Sequence, residues 1–149
     1  MTTLKPGDQA PQFSALDQDG NKVELNDFKG KKLVVFFYPK ASTPGCTAEA
    51  CNLKDNWENF IARGYAILGV SADSQKRQQN FKNRYELPYP LLADEDRKVI
   101  DAFGVWGPKK FMGKEFDGIH RTTFVIDENG KIEDVIEKVN TKEHASQIL

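Results

Sequence analysis

The stretch LVVFFYPKASTPGCTAEAC, residues 33–51, decides how this chain folds. Its six consecutive apolar residues, Leu33–Tyr38, predict a strand that is buried on both faces of a sheet. A turn follows, after which Thr43 is expected to cap a helix and Pro44 to occupy its first position. An apolar stripe at helical spacing predicts that this helix continues and ends before Gly64. The stripe contains Cys46, Ala50, Leu53, Trp57, Phe60 and Ile61.

Strands and helices alternate along much of the remaining chain. Turn residues between residues 12–16 and 22–25 predict an N-terminal β-hairpin. Tyr65–Val70 predicts a second buried strand, and residues 71–85 an amphipathic helix. A short strand at 91–93 and a short helix at 94–103 complete the alternation.

The last third of the chain predicts a second hairpin. Residues 104–118 are rich in glycine and are expected to form an irregular loop whose apolar side chains fold over another part of the protein. Residues 121–127 and 131–139 flank Glu-Asn-Gly, which favours a hairpin. Thr141 is expected to cap a final helix. The whole order predicts one α/β domain over residues 1–149, thioredoxin-like, with a mixed central sheet and helices on both faces.

Composition restricts the possible partners and compartment. The 149 residues carry 21 basic and 22 acidic side chains, a net charge of −1 that does not favour nucleic acid or an anionic membrane as partner. No apolar run approaches the length of a membrane span. The N-terminal residues lack the apolar core of a signal peptide, so a cytoplasmic location is expected. In a reducing compartment the two cysteines favour chemistry over a structural disulfide.

Cys46 is placed where a thiol can become a thiolate. A free cysteine has a pKa near ~8.5, and a helix N-terminus can supply up to ~2 kcal/mol in favour of the charged form. Burial on the apolar stripe opposes this effect, so a nearby cation is needed. Lys40 is close in sequence. Arg121 is the better candidate, because it opens a strand that could lie beside Leu33–Tyr38 and keeps its charge when desolvated.

The spacing of the two cysteines has a geometric consequence. Five residues along an intact helix separate two Cα atoms by roughly 8.7 Å, beyond the ~7 Å limit for a disulfide. Cys46 and Cys51 therefore cannot form a disulfide while the helix is whole. Such a pair suits an enzyme that reacts in its folded form and forms a disulfide only after the helix opens.

Two motifs resemble those of the peroxiredoxin family. The pattern Pro39-x-x-x-Thr43-x-x-Cys46, with Glu49 three residues further, is similar to the peroxiredoxin active-site motif. The sequences YPKxxTPGCTxEAC at 38–51 and GVWGxKxFMGKxxDGIHR at 104–121 resemble the bacterioferritin comigratory protein (PrxQ) branch. The similarity extends from about Lys5 to Lys142.

The resemblance implies a thiol-dependent peroxidase with Cys46 as the peroxidatic nucleophile. Its thiolate would attack a peroxide oxygen and become a sulfenic acid. Thr43 would orient the thiolate and the peroxide, and Pro39 would shield the sulfur from solvent. Arg121 would stabilise the thiolate and the transition state, and Glu49 would hold the arginine.

The resemblance also implies a second half-reaction. Cys51 would resolve the sulfenic acid as an intramolecular disulfide, which thioredoxin or a glutaredoxin-like dithiol would reduce. Hydrogen peroxide and organic hydroperoxides are the implied substrates. No haem, flavin or metal cofactor is implied, and the protein is expected to be a monomer.

Three other functions are compatible with the residues alone. A thioredoxin-fold disulfide reductase would use two cysteines two residues apart, which the spacing here disfavours. A copper or thiol-binding module would need soft ligands near Cys46, for which Met112 and His120 are available. An inert structural domain would leave Cys46 with ordinary reactivity. His120 and His144 are expected to be surface or structural residues.

Overall fold

A mixed five-stranded sheet forms the centre of the protein, with strand order β5-β4-β3-β8-β9. The computed structural model describes all residues from 1 to 149. The strands are β1 (Ser14–Leu16), β2 (Lys22–Glu24), β3 (Lys32–Phe37), β4 (Tyr65–Ser71), β5 (Leu91–Ala93), β6 (Trp106–Phe111), β7 (Lys114–Ile119), β8 (Thr122–Ile126) and β9 (Ile132–Ile136). The helices are α1 (Pro44–Asp55), α2 (Trp57–Ala62), α3 (Gln75–Tyr85), α4 (Lys98–Phe103) and α5 (His144–Ile148).

The buried strand predicted from the opening stretch is β3, and it lies in the middle of the sheet. It pairs with β4 in parallel and with β8 in antiparallel orientation. β5 extends the parallel side and β9 the antiparallel side. The N-terminal hairpin, β1 with β2, is a separate two-stranded sheet. The predicted hairpins at both ends of the chain are confirmed, as is the mixed sheet.

Side chains of β3 alternate between two hydrophobic cores. Leu33, Val35 and Phe37 lie in one core, which also contains apolar residues of α4. Val34 and Phe36 lie in the other, which contains residues of α1, α2, α3 and α5. All of these β3 side chains are at most 1% exposed. The sheet is therefore covered by helices on both faces, as the sequence predicts.

The predicted helix begins at Pro44 and ends before Gly64 as expected, but the prediction of one continuous helix is wrong, because the helix breaks at Asn56. The Asn56 side-chain Nδ2 donates to the carbonyl of Asn52 at 2.9 Å, and its backbone (φ −106°, ψ 13°) leaves the helical region. An asparagine side chain that bonds its own backbone in this way competes with helix continuation. The break rotates α2, so that Phe60 is fully buried while Ile61 is 52% exposed, contrary to its expected place in the stripe.

The predicted irregular loop at 104–118 is instead a regular hairpin of β6 and β7. Phe111 pairs with Lys114, and the two residues between them, Met112 and Gly113, have φ values of 52° and 80°. Positive φ at both positions is the geometry of a type I′ turn. Phe111 and Met112 are 67% and 87% exposed, so the tip of the hairpin does not fold over the protein, whereas Phe116, 48% exposed, lines a cleft beside Pro39.

The final helix also starts later than predicted. α5 begins at His144, with Glu143 rather than Thr141 at its N-cap position. Its residues His144 and Ala145 are buried against the second core. None of the five helices has the length and apolar character that a membrane-crossing helix requires.

Candidate active site

The turn between β3 and α1 places Cys46 at the carboxyl edge of the sheet. Ser42 has a left-handed backbone (φ 65°), which reverses the chain just before the helix. Pro44 opens α1, and Cys46 follows in its first turn with only 1% exposure. The thiol therefore lies beneath the helix N-terminus, where the unpaired backbone N–H groups favour negative charge.

Arg121 contacts the sulfur from the neighbouring strand. Antiparallel pairing of β3 with β8 aligns Phe37 with Thr122, which puts Arg121 at the same edge of the sheet as α1. Its Nη2 lies 3.3 Å from Cys46 Sγ and its Nη1 lies 2.8 Å from Glu49 Oε1. The guanidinium therefore bridges the thiol and the carboxyl group of one helix.

Gly45 makes this approach possible. A Cβ atom added at Gly45 would lie 3.2 Å from Nη2 of Arg121, closer than most real Cβ contacts. Any larger residue would push the guanidinium away from the first turn of α1. The glycine of the motif thus has a packing role at the site as well as its place in the turn.

Burial and opposite charge act against each other in this cluster. Burial lowers the pKa of Arg121, but the adjacent Cys46 and Glu49 outweigh it, so its pKa is raised overall and it stays charged. Burial raises the pKa of Glu49 to about 7, even though the charge and hydrogen bond of Arg121 favour the carboxylate. The carboxyl group thus changes protonation within the physiological range.

Thr43 and Pro39 lie in the turn that precedes Cys46, and both are partly exposed. The Thr43 hydroxyl donates to the carbonyl of Lys40 at 2.7 Å and does not cap the helix with its side chain, although Thr43 occupies the N-cap position. With its hydrogen engaged, the oxygen keeps its lone pairs free to accept a hydrogen bond. Pro39 is half-buried and lines a cleft with Lys40, Trp106, Lys109 and Phe116.

Cys51 lies on the same unbroken helix in a different setting. Both cysteines are free thiols, and Cys51 is partly exposed. Burial raises the pKa of its thiol, an effect that Lys54 reduces and Asp55 reinforces. Since α1 runs without interruption from Pro44 to Asp55, the helical separation of the two residues applies and no disulfide can form in this conformation.

His144 lies next to the site, at a position that the sequence does not predict. It is fully buried, with Nε2 at 3.4 Å from Glu49 Oε2 and 2.7 Å from the hydroxyl of Thr123. The sequence predicts only a surface or structural role for His144. It does not predict this contact with the carboxyl group that binds Arg121. No local motif signals it, because only the docking of α5 onto α1 brings these residues together.

The side chains considered as soft metal ligands do not gather around Cys46. Met112 is at the exposed turn of the β6–β7 hairpin, and His120 Nε2 lies 2.9 Å from the carbonyl of Pro108. The structure contains no group of three or more His, Cys, Asp and Glu side chains arranged to hold a metal ion.

Comparison with known proteins agrees with this geometry. The chain matches the AhpC/TSA family over residues 6–135 and belongs to that family of peroxide-reducing thiol proteins. Its sequence is 49% identical to Peroxiredoxin Bcp of Escherichia coli K12 over 149 residues, covering 100% of this chain and 96% of the relative. Within the family it is therefore a member of the bacterioferritin comigratory protein (PrxQ) branch of the peroxiredoxins.

Two solved structures show the same fold. Peroxidoxin BcpB from Mycobacterium tuberculosis is 36% identical, with a TM-score of 0.85 and coverage of 97% of this chain and 93% of that chain. The Xanthomonas campestris bacterioferritin comigratory protein, whose alkyl peroxide reduction activity has been studied structurally, is 33% identical. Its TM-score is 0.87, with coverage of 99% and 94%. The predicted thioredoxin-like peroxiredoxin fold is confirmed, and family membership implies thiol-dependent peroxide reduction.

Proposed function

We propose that this protein reduces hydroperoxides with Cys46 as the nucleophile and Cys51 as the resolving thiol. The observation that carries the proposal is the 3.3 Å contact between Arg121 Nη2 and Cys46 Sγ beneath the N-terminus of α1. A permanent cation and a helix N-terminus that meet at one buried sulfur favour the thiolate, which is the reactive form of cysteine.

In the first half-reaction the Cys46 thiolate attacks the terminal oxygen of a hydroperoxide. An S–O bond forms as the O–O bond breaks, the sulfur is oxidised to a sulfenic acid, and the peroxide is reduced. The departing oxygen leaves as an alkoxide or hydroxide and takes up a proton from solvent to give an alcohol or water.

Three neighbours prepare this step. Arg121 stabilises the negative charge as it moves from sulfur to the leaving oxygen. The Thr43 oxygen, whose hydrogen is held by the Lys40 carbonyl, accepts a hydrogen bond from the peroxide and orients it. Pro39 shields the sulfur from water. Glu49 anchors Arg121 through the 2.8 Å hydrogen bond that Nη1 donates to Oε1.

In the second half-reaction the first turns of α1 unwind and Cys51 reaches the oxidised sulfur. The Cys51 thiol displaces the sulfenic hydroxyl, a disulfide forms, and water leaves. A dithiol protein, thioredoxin or a glutaredoxin-like reductant, then reduces the disulfide by thiol–disulfide exchange. The helix that favours the thiolate in the reduced protein must therefore open once in every catalytic cycle.

Substrate range and assembly complete the proposal. The open cleft beside Pro39, with Trp106 and Phe116 on its wall, accommodates organic hydroperoxides as well as hydrogen peroxide. The alkyl peroxide reduction activity of the Xanthomonas campestris relative supports this range. The protein is proposed to act as a monomer, and two thiols that are reduced in each cycle suit a cytoplasmic protein.

Counting thiols after peroxide addition tests the proposal. The reduced protein, mixed with a slight excess of hydrogen peroxide, should lose both thiols together without forming a covalent dimer. The Cys51→Ser variant should lose only the Cys46 thiol and stop at sulfenic acid, which a dimedone adduct in the intact mass would report.

Reaction of Cys46 no faster than free cysteine would exclude the peroxidase. A covalent dimer in oxidised wild type would exclude Cys51 as its intramolecular partner, and turnover of insulin disulfides without peroxide would favour a disulfide reductase.

A further inference from the structure

The second oxygen of the Glu49 carboxyl group lacks a hydrogen bond. Oε1 accepts from Arg121, whereas Oε2 is buried and without a hydrogen-bond partner. The nearest candidate is Nε2 of His144 at 3.4 Å, and neither side chain has any exposed surface. A buried carboxyl oxygen without a hydrogen bond lowers the stability of the folded protein. The protonation state of His144 therefore decides whether its contact with Oε2 is favourable.

The hydrogen bonds around Gln147 define the tautomer of His144. The Gln147 side-chain nitrogen donates to the carbonyl of Lys138, and its oxygen accepts from the backbone N–H of Asn140, each at 2.9 Å. The oxygen therefore also faces His144 Nδ1, 2.7 Å away, and Nδ1 must be the donor. In the neutral imidazole, Nε2 consequently carries no hydrogen.

A neutral His144 and an ionised Glu49 would repel each other. Nε2 would accept from the hydroxyl of Thr123 at 2.7 Å and present electron density to the Glu49 oxygen. One proton removes the conflict, either on Nε2 or on the carboxyl group. The geometry thus requires a single proton on the Glu49–His144 pair.

The charge count of the cluster leads to the same requirement. A Cys46 thiolate, the Arg121 guanidinium and a Glu49 carboxylate together carry one net negative charge in a largely buried site. One further proton makes the cluster neutral, which burial favours. The other titratable groups nearby do not supply it: the Tyr89 hydroxyl donates to the carbonyl of Ala50, and Lys109 Nζ donates to the carbonyl of Ile119 on the cleft side.

We infer that Glu49 and His144 share one proton while Cys46 is a thiolate, and that His144 is thereby a positioning residue for peroxide reduction. The shared proton prevents Glu49 from cancelling the charge of Arg121, so the guanidinium acts fully on the sulfur. The inference rests on the proposed role of Cys46. Burial raises the pKa of Glu49 to about 7 and lowers that of His144, so neither group holds a fixed charge near neutral pH.

The pH dependence of Cys46 oxidation tests this role. In a Cys51→Ser background, His144→Gln should move the acid limb of the rate–pH profile to higher pH by about one unit. The alkaline plateau should not change. A glutamine at this position donates to the Glu49 carboxylate without bringing a proton, so the extra negative charge opposes the thiolate.

Two further variants separate the proton from packing. In Glu49→Gln the amide oxygen can accept from Arg121 and the amide nitrogen can donate to His144, which imitates the protonated pair; adding His144→Gln to it should cause no further shift. Asn52→Ala removes the hydrogen bonds from α1 to Lys142 and Ala145 but keeps both Glu49 and His144, and it should leave the acid limb in place.

Several results would overturn the inference. An unchanged profile in His144→Gln, an equal loss of rate at every pH, or the same shift in the Glu49→Gln background would each exclude the shared proton. If His144→Gln does not fold, ¹⁵N spectra of the wild-type imidazole decide, because alkylation of Cys46 should change the His144 Nε2 resonance. Fast oxidation of the parent with any of these results would refute only the inference, whereas slow oxidation of the parent would refute the proposed function.

Discussion

The two cysteines lie on one helix, yet their surroundings differ in almost every respect. Cys46 is buried beneath the helix N-terminus with the Arg121 guanidinium 3.3 Å from its sulfur. Cys51 is partly exposed one and a half turns further along, and burial raises the pKa of its thiol. The proposed function assigns the nucleophile to the first environment and the resolving group to the second, so position along the helix rather than residue type separates the two proposed roles.

The proposed difference in reactivity between the two cysteines should depend most on Arg121. In a Cys51→Ser background, Arg121→Met should slow the reaction of Cys46 with hydrogen peroxide by about 10²- to 10³-fold, because a preorganised cation is lost from the reacting atoms. Stopped-flow fluorescence measures the rate. Lys109→Met is the matched control: it removes a nearby cation that does not contact the sulfur and should cost less than about fivefold. Equal losses in both variants would contradict a specific role for Arg121.

The buried carboxyl group near Cys46 should make stability depend on pH, with no counterpart near Cys51. The pKa of Glu49 is raised from 4.5 to about 7 in the folded protein, so its contribution is full below about pH 4.5 and is lost as pH rises through 7. In a Cys46→Ser background, urea unfolding should show this decline, up to about 3 kcal/mol.

Glu49→Gln in the same background provides the control for that decline. It cannot titrate and should lack the decrease between pH 4.5 and 7. His144, whose pKa is lowered, acts in the opposite direction below its ordinary 6.5 and is present in both proteins. Parallel pH curves for the two proteins would show that Glu49 is ionised throughout.

Asn52, the residue after Cys51, connects α1 to the C-terminal segment. Asn52 Oδ1 accepts from the backbone N–H of Ala145 at 2.8 Å, and its Nδ2 donates to the carbonyl of Lys142 at 2.9 Å. Asn52→Ala should make opening easier by about 1–2 kcal/mol, and the disulfide should form several-fold faster after the first oxidation. Rapid-quench thiol counting measures this step. Asn59→Ala, at an exposed position of α2, should leave it unchanged, and a slower step in Asn52→Ala would argue against opening of this end.

The smallest expected effect concerns the reactivity of Cys51 itself. In a Cys46→Ser background its alkylation by iodoacetamide should reach half-maximal rate at higher pH than an ordinary cysteine, because burial raises the pKa of the thiol. Adding urea to the unfolding range should restore the ordinary pH dependence. A folded-state midpoint below that of the unfolded chain would show that Cys51 is also activated.

Much of the fold is predictable because its signals are local. Leu33–Tyr38 is long and apolar enough to identify the central strand, and Pro44 marks the first residue of α1. The incorrect predictions of secondary structure also have local causes. Asn56 looks like an ordinary polar position on a helix, and only its bond to the Asn52 carbonyl reveals the break. Met112 at a left-handed turn position is uncommon, so the β6–β7 hairpin has no strong sequence signal.

The site is less predictable than the fold, because it depends on contacts across the chain. Arg121 could be proposed from its position at the start of a strand and from the family motif. His144 could not, because its contact with Glu49 depends on how α5 packs against α1. The sequence shows only a histidine in a short helix. The contact between His144 and Glu49 is visible only in the tertiary structure.

The break at Asn56 limits how far the opening of α1 can spread. Helix unwinding is cooperative, so a continuous helix to Gly64 would transmit fraying toward Phe60, which packs against Tyr65 of β4. With two separate helices, α2 can stay docked while α1 unfolds as a unit of its own. The conformational entropy of the proposed opening is then confined to at most the 12 residues of α1, and the core beneath α2 stays intact.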